Sequence, residues 1–233
     1  MAVINVTSEI GKLKKVLLHR PGKELLNLTP DKLDELLFDD IPFLKVAQKE
    51  HDAFADILSK NGVEVVYLED LAAEALSQST EIREKFIKQY INEADIYSEY
   101  YQKMIYDFLN AIKDPKELIL KTMEGVNANE IPFKNTHSLS HYVLDSGSMI
   151  INPMPNLYFT RDPFACIGNG VSLNKMYSVT RCRETIYGEF IFEHHPEYAG
   201  KVNRFYNRYD APSIEGGDIL NIGKDVLAIG HIR

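Results

Sequence analysis

The chain has 233 residues, 45% of them hydrophobic and 26% charged, a composition able to build the core of one or two domains. Its formal net charge of -8, with no dominant basic face, argues against a nucleic-acid partner. The longest apolar runs are too short to cross a bilayer and no signal peptide opens the chain, so we expect a cytoplasmic protein with no membrane partner. Cys166 and Cys182 lack a disulfide-like spacing, which fits a reducing compartment.

The first part of the chain has an α/β pattern. Residues 15–19 predict a short apolar strand that stops at Arg20-Pro21-Gly22. Apolar residues near a 3.6 period predict a helix from about 42 to 60, and the β-branched residues of 63–68 predict a second strand. The order strand, helix, strand indicates a sheet covered by helices.

A mostly helical segment follows. Apolar residues at helical spacing predict one stretch at 72–76 and another across 86–109. A third helix is predicted to begin at Asp114-Pro115, since proline suits a first helical turn. The polar, broken segment 127–147 is interpreted as a return linker. We therefore expect a small inserted bundle of helices.

The α/β pattern then resumes as hairpins. In chain order the predicted elements are strands at 149–151, 157–160, 164–167 and 171–173, a helix at 183–193, and strands at 219–222 and 226–229. Asp162 stands just before the first hairpin, and Glu215-Gly216-Gly217-Asp218 stands just before the second. This is a weak internal repeat. A helix follows the first hairpin but not the second, so we expect the repeating unit to be cut off in its middle.

Each acidic segment allows two interpretations. Asp162 either caps a turn of its own backbone or presents a carboxylate at a strand end, where α/β sheets bind ligands. Gly216 and Gly217 either supply positive φ or let a ligand or another backbone approach between two acids. Two carboxylates from adjacent repeats would suit a planar guanidinium. Arg181 either belongs to a solvated charge cluster or pairs with a substrate carboxylate.

The sequence contains no recognisable cofactor motif. It has no P-loop, no dinucleotide-binding glycine fingerprint and no His-Glu-x-x-His. His137 and His141 are four residues apart, but no acidic pattern around them favours a metal site.

Several ordered strings resemble the bacterial arginine deiminase family. They are residues 8–13, 19–22, 36–41, 152–162, 177–181 and 215–218. The resemblance runs from about residue 4 to Gly230. It implies an α/β fold, an incomplete pseudo-fivefold propeller (the pentein fold) with an inserted helical bundle. Residues 1–70 would be the first unit, 71–148 the insertion and return linker, and 149–233 the second unit and the start of a third.

The resemblance also implies a reaction, the hydrolysis of L-arginine to L-citrulline and ammonia. The resemblance implies neither a metal nor an organic cofactor, and it allows the protein to form a homo-oligomer. In this family a cysteine thiolate attacks the guanidinium carbon and ammonia leaves, after which water hydrolyses the thiouronium intermediate. A histidine handles the protons.

Two catalytic residues follow from the resemblance. Asp162 resembles the aspartate that grips the guanidinium, and Glu215 the glutamate that pairs with it and supports proton transfer. Asp218 matches a nearby supporting acid.

Three more residues match substrate-binding positions. Asn156 and Arg181 resemble residues that hold the amino-acid end of arginine, and Phe159 resembles one that packs on its stem. Residues 39–41 match part of a loop near the site entrance.

The nucleophile and the acid/base histidine of the family are expected beyond Gly230. Neither Cys166 nor Cys182 lies in the nucleophile's motif, so no nucleophile is assigned in this chain. The ending 231–233 departs from the family pattern, and Arg233 receives no role. We expect the chain alone to be inactive and to bind arginine weakly. The alternatives are another guanidine-modifying enzyme, such as a dimethylargininase or an amidinotransferase, and a non-catalytic arginine-binding module.

Overall fold

Seven α-helices and nine β-strands are present in residues 3–132 and 148–230, which a computed structural model describes. The helices are α1 Leu33–Leu36, α2 Leu44–Lys60, α3 Leu68–Leu76, α4 Thr80–Asn92, α5 Glu99–Ala111, α6 Pro115–Glu124 and α7 Thr185–His194. The strands are β1 Lys15–Leu18, β2 Glu64–Tyr67, β3 Val126–Asn127, β4 Met149–Ile151, β5 Phe164–Ile167, β6 Gly170–Leu173, β7 Asn203–Tyr206, β8 Ile219–Gly223 and β9 Val226–Ile229. His137, His141 and the 231–233 ending lie outside the described residues.

The first strand–helix–strand unit is confirmed. β1 pairs in parallel with β2, with Lys15 opposite Glu64 and Leu18 opposite Tyr67, and α2 makes the crossover. Parallel pairing requires such a crossover, because a tight turn can join only antiparallel strands. The α/β prediction for this part of the chain is therefore correct.

The helices of the insertion, α3 to α6, also follow the sequence, with one correction. The apolar stretch predicted across 86–109 is two helices, α4 and α5, separated where Asp95 has a φ of 56°. A non-glycine residue in this left-handed region ends regular helix. The predicted start at Asp114-Pro115 is confirmed, since the Asp114 carboxylate accepts the Glu117 N–H at 2.8 Å.

The second α/β unit is a three-stranded sheet. β5 and β6 form the predicted antiparallel hairpin, and β7 adds to β6 in parallel after the crossover helix α7. β7 was not predicted, because Asn203, Arg204 and Phe205 are all exposed and give no apolar alternation. The predicted strand at 157–160 is wrong. A 3₁₀ turn, Pro155–Tyr158, begins at a proline and covers the first half of this stretch, and a further turn follows from Thr160 to Pro163.

The last described elements form the second predicted hairpin. β8 and β9 pair antiparallel, with Ile219 opposite Ile229 and Leu220 opposite Ala228. In the described part of the chain these two strands make a sheet of their own.

One continuous core joins the inserted helices to the second unit. Phe86 of α4 packs edge-on against Phe190 of α7 with ring centroids 5.1 Å apart, and it also contacts Tyr187 at 6.0 Å. All three side chains are fully buried. The molecule is thus a mixed α/β structure with small sheets, and no helix in its described part is both long and apolar enough to cross a membrane.

Candidate functional site

A small acidic pocket lies where the segments before the two hairpins meet. Its volume is about 110 Å³. Its lining residues are Asp162, Tyr177, Ser213, Ile214, Glu215, Gly217 and Asp218. The two acidic segments that stand before separate hairpins in the sequence therefore converge on one pocket. Three lining residues are carboxylates and none of the lining residues is basic, so the pocket favours a cation.

Asp162 is fixed in place by its backbone. Its N–H donates to the Phe159 carbonyl at 3.1 Å, closing a turn. Its own carbonyl accepts the Asn174 side-chain amide at 2.7 Å and the Gly216 N–H at 3.2 Å. Asp162 thus lies in a turn ahead of β5, not at the end of a strand as one interpretation predicted. The Asp162 carboxylate takes part in none of these backbone bonds, and the residue lines the pocket.

Gly216 brings the second acidic segment against the first. A Cβ at this position would lie 1.9 Å from the Arg161 carbonyl oxygen, whereas a Cβ on Gly217 would meet nothing within 4 Å. Neither glycine has a positive φ. The positive-φ interpretation is therefore wrong, and close approach of another backbone is the reason for Gly216.

The Glu215 and Asp218 carboxylates accept hydrogen bonds from nearby backbone N–H groups. The Asp218 carboxylate accepts the Glu215 N–H at 3.1 Å, in a reciprocal cap of a 3₁₀ turn. The Glu215 carboxylate accepts the Tyr177 N–H at 2.9 Å. These hydrogen bonds from backbone N–H groups orient both carboxylates.

Arg181 is not among the lining residues and contacts the pocket through Asp162. Its Nη1 donates to Asp162 Oδ2 at 2.9 Å, and its Nε and Nη2 donate to Glu184 at 3.1 and 2.8 Å. The Arg181 and Glu184 side chains are only 9% and 2% exposed. Burial raises the pKa of Glu184 to about 7, in opposition to the hydrogen bonds from Arg181, which lower it. The interpretation of Arg181 as part of a solvated cluster is wrong.

Asn156 and Phe159 lie beside the pocket and not in its lining. Asn156 is buried, and its side-chain amide donates to the Leu36 carbonyl at 2.8 Å. This bond ties the turn before Asp162 to the end of α1. Phe159 is 46% exposed and packs on Tyr158 with ring centroids 4.0 Å apart, so about half of this residue is open to solvent. The roles of both residues toward a substrate stay predictions.

The whole chain has clear relatives. A family model described as arginine deiminase matches residues 34–231. The chain belongs to the arginine deiminase family. An arginine deiminase of Treponema denticola is 97% identical over 230 residues, which cover 99% of this chain and 56% of that protein. Arginine deiminases of Streptococcus agalactiae and Streptococcus sanguinis are 60% and 59% identical over 229 residues. With 56% of each relative covered, the chain spans about half the length of these curated relatives.

The two cysteines of this arginine deiminase family member are poor nucleophiles. Burial raises the pKa of Cys166 to about 11, and burial also raises the pKa of Cys182. The thiolate is the reactive form, so both thiols stay protonated near neutral pH. Neither residue lines the pocket.

The sequence did not reveal the ion pair between Arg161 and Glu9. Arg161 pairs bidentately with the Glu9 carboxylate at 2.9 and 3.0 Å, and its Nε also donates to the Gly216 carbonyl at 3.0 Å. These hydrogen bonds from Arg161 lower the pKa of Glu9 to about 2, against a smaller effect of burial. Arg161 therefore holds the N-terminal segment and the Gly216 turn together behind the pocket.

A second buried ionic cluster lies outside the pocket lining. The protonated His19 ring donates to the Glu69 carboxylate from Nδ1 at 2.8 Å and to the Glu24 carboxylate from Nε2 at 3.2 Å, and all three side chains are buried. Burial alone would lower the pKa of His19, but the two carboxylates raise it to about 9. The imidazolium thus joins the end of β1 to the start of α3.

Proposed function

We propose that this chain carries the guanidinium-holding part of an arginine deiminase, which hydrolyses L-arginine to L-citrulline and ammonia. The observation that carries the proposal is the convergence of Asp162, Glu215 and Asp218 on one small pocket without a basic lining residue, in a chain of this family. A planar guanidinium can donate paired hydrogen bonds to such carboxylates.

In the proposed complex Asp162 and Glu215 grip the guanidinium and hold its central carbon for attack. Glu215 also supports proton transfer, and Asp218 orients Glu215 through its backbone. Positioning of this kind contributes to rate because a misaligned carbon is not attacked. Arg181 and Asn156 hold the amino-acid end, and Phe159 packs on the aliphatic stem.

Bond breaking needs groups beyond this pocket. A thiolate must add to the guanidinium carbon, and a general acid must protonate the departing ammonia. The raised thiol pKa values of Cys166 and Cys182 support assigning the nucleophile to neither. We therefore propose that this chain binds and orients the substrate, and that the chain alone yields no citrulline.

The proposed architecture is an incomplete pseudo-fivefold α/β propeller. Residues 1–70 form its first unit, 71–148 the helical insertion and linker, and 149–233 the second unit with the start of a third. The shared order of strand, crossover helix and parallel strand in β1–α2–β2 and β6–α7–β7 supports this division. The two free cysteines support a cytoplasmic location.

A chimera tests the activity. In it, this chain replaces the 230 matching residues of the Treponema denticola relative, and citrulline is measured with L-arginine and with methylated arginine as substrates. We expect citrulline from L-arginine and much slower turnover of the methylated compound. Preference for methylated arginine would favour another guanidine-modifying enzyme. A folded chimera that binds arginine without turnover would favour a non-catalytic module.

A further inference from the structure

A buried arginine outside the acidic pocket joins three parts of the molecule. Arg208 follows β7, and its side chain is only 5% exposed. Its Nη1 donates to the Glu189 carboxylate of α7 at 2.8 Å, and its Nη2 donates to the Glu93 carboxylate at the end of α4 at 2.5 Å. Nη2 also donates to the Cys182 carbonyl at 3.2 Å. One guanidinium therefore links an inserted helix, the crossover helix of the second unit and the segment that contains Arg181.

The inserted helices hold Arg208 through the C-terminal end of α4. Glu93 is the first residue after this helix, where a carboxylate by itself is unfavourable because the helix dipole places partial negative charge there. The guanidinium of Arg208 offsets that repulsion. Gln89, one turn earlier, donates from Nε2 to Glu93 at 3.0 Å and to Glu189 at 2.6 Å, so both carboxylates that accept from Arg208 are themselves held. The contact is thus an ordered polar network between α4 and α7.

The second unit holds Arg208 beside the turn that carries Arg181. Arg181 and Cys182 are neighbours in a 3₁₀ turn, and α7 begins directly after that turn. Arg208 contacts this segment twice, at the Cys182 carbonyl and at Glu189. Arg181 in turn donates to Asp162 of the pocket at 2.9 Å. A displacement of the turn would therefore move the Arg181 guanidinium relative to the pocket.

We propose that Arg208 is a positioning residue through which the inserted helices set the geometry of the acidic pocket. Arg208 is not among the lining residues, and it acts by holding the turn that orients Arg181. Its loss therefore weakens the binding of the amino-acid end of arginine, which Arg181 is proposed to hold. The proposal rests on the proposed function for the identity of the substrate, whereas the link between α4 and Arg181 is a property of the folded chain.

Kinetics in the chimera with the Treponema denticola relative test the positioning. Arg208→Gln removes the charge and the paired hydrogen bonds and keeps much of the side-chain volume. We expect it to raise KM for L-arginine at least about tenfold with a smaller change in kcat, since the loss of binding that substrate and transition state share acts on KM. Arg208→Lys keeps the charge but not the planar fork, so it should recover only part of this loss.

Arg83→Gln is the matched control. Arg83 also belongs to α4 and is partly buried, and its guanidinium donates to the Asn110 side chain at 2.5 Å and to the Ile112 carbonyl at 2.6 Å. These bonds stay within the inserted helical region, so the variant disturbs that region without a direct contact to the turn that carries Arg181. We expect its KM to equal that of the unmodified chimera. Circular dichroism and urea unfolding verify that each variant is folded at the assay temperature.

A variant of α4 tests whether the inserted helices contribute. Glu93→Gln removes the charge that α4 presents to Arg208 and leaves the bond between Arg208 and Glu189. We expect it to raise KM for L-arginine about threefold or more by itself. Beside Arg208→Gln it should have no further effect, because both substitutions remove the same ion pair.

Amide exchange in the 233-residue chain gives a readout that needs no turnover. The Arg181 N–H donates to the Ser178 carbonyl at 3.1 Å inside the turn. We expect Arg208→Gln to speed the exchange of this N–H at least about tenfold, because the turn then opens more often, and Arg83→Gln to leave the rate unchanged.

The kinetic and exchange results together decide between the two proposals. An unchanged KM in Arg208→Gln, an additive effect of Glu93→Gln, or an exchange rate that responds equally to Arg208→Gln and Arg83→Gln would overturn the positioning role. A chimera that yields no citrulline, while exchange at Arg181 still depends on Arg208, would contradict arginine hydrolysis and support the positioning role.

Discussion

Arg181 donates from Nη1 to Asp162 Oδ2 at 2.9 Å, so the carboxylate proposed to hold a substrate guanidinium already contacts the guanidinium of the protein's own arginine. Glu184 holds the other side of Arg181 through Nε and Nη2. The Asp162 carboxylate is therefore oriented by a buried cation that is itself fixed. A substrate bound to Asp162 would share the carboxylate with Arg181 or displace it.

Loss of Arg181 should destabilise the protein strongly. Arg181→Ala leaves Glu184 buried without its cation, which costs about 3–5 kcal/mol of unfolding free energy for a buried pair. Urea unfolding at pH 8 measures the change. The matched control is Arg20→Ala, since Arg20 pairs with Asp52 at 2.7 Å but the two side chains are 39% and 50% exposed. There we expect a loss of at most about 1 kcal/mol. Equal losses in the two variants would contradict the account.

The stability of the protein should fall as the pH rises from 6.5 to 9. The pKa of His19 is raised from the ordinary 6.5 to about 9, so the folded state holds this proton more tightly than the unfolded state. The stabilisation is complete below pH 6.5 and is lost as the pH passes 9, with a size on the order of 3 kcal/mol. Urea unfolding across this range measures it. His19→Gln should lower stability throughout and remove this slope, and an unchanged slope would refute the assignment.

Gly216→Ala should disturb the pocket, because the new Cβ would lie 1.9 Å from the Arg161 carbonyl oxygen. The Arg161 backbone cannot move away as easily as a flexible side chain. We therefore expect the substitution to lower the free energy of unfolding by about 1–3 kcal/mol. Gly217→Ala meets nothing within 4 Å and is the adjacent control. Thermal and urea unfolding of the two variants measure the difference. A stable Gly216→Ala protein would show that the two acidic segments do not meet as described.

Asn156→Ala should reduce stability as well as any substrate affinity. The variant leaves the Leu36 carbonyl without the 2.8 Å hydrogen bond from the Asn156 amide, and an unsatisfied buried group costs about 1–3 kcal/mol. Asn152→Ala is the control, because its bond to Glu35 is exposed. Urea unfolding in the absence of arginine isolates the structural part. If Asn156 served only the substrate, its removal would leave this stability unaltered.

Local patterns were sufficient to predict much of the fold. The hairpins at β5–β6 and β8–β9, the crossover helix α2 and the capped start at Asp114-Pro115 all follow from periodicity and turn chemistry, which act over a few residues. The turn at Pro155–Tyr158 was not predicted, because a short run of buried apolar residues has the same sequence pattern in a strand and in a 3₁₀ turn. β7 was missed because it is exposed and held by pairing with β6.

The candidate site, like the fold, could be predicted from the sequence only in part. The repeated position of Asp162 and of Glu215–Asp218 before hairpins made a shared site one of two interpretations, and all three acidic residues line one pocket. The bond between Glu9 and Arg161 joins residues 152 positions apart, and no local pattern reports such a pair. Glu184 was visible beside Arg181 in the sequence, but only the packing reveals that both are buried.

The central claim is that Asp162 holds the guanidinium of arginine. The most direct measurement is kcat/KM for L-arginine in the chimera with the Treponema denticola relative, comparing Asp162→Asn with Asp56→Asn. Asp56 is an exposed aspartate of α2 and serves as the control for loss of one carboxylate. We expect Asp162→Asn to lower kcat/KM at least about 30-fold, since removing one partner of a buried charge pair costs roughly 2 kcal/mol or more. Asp56→Asn should leave kcat/KM unchanged. Equal kcat/KM values for the two folded variants would contradict the account.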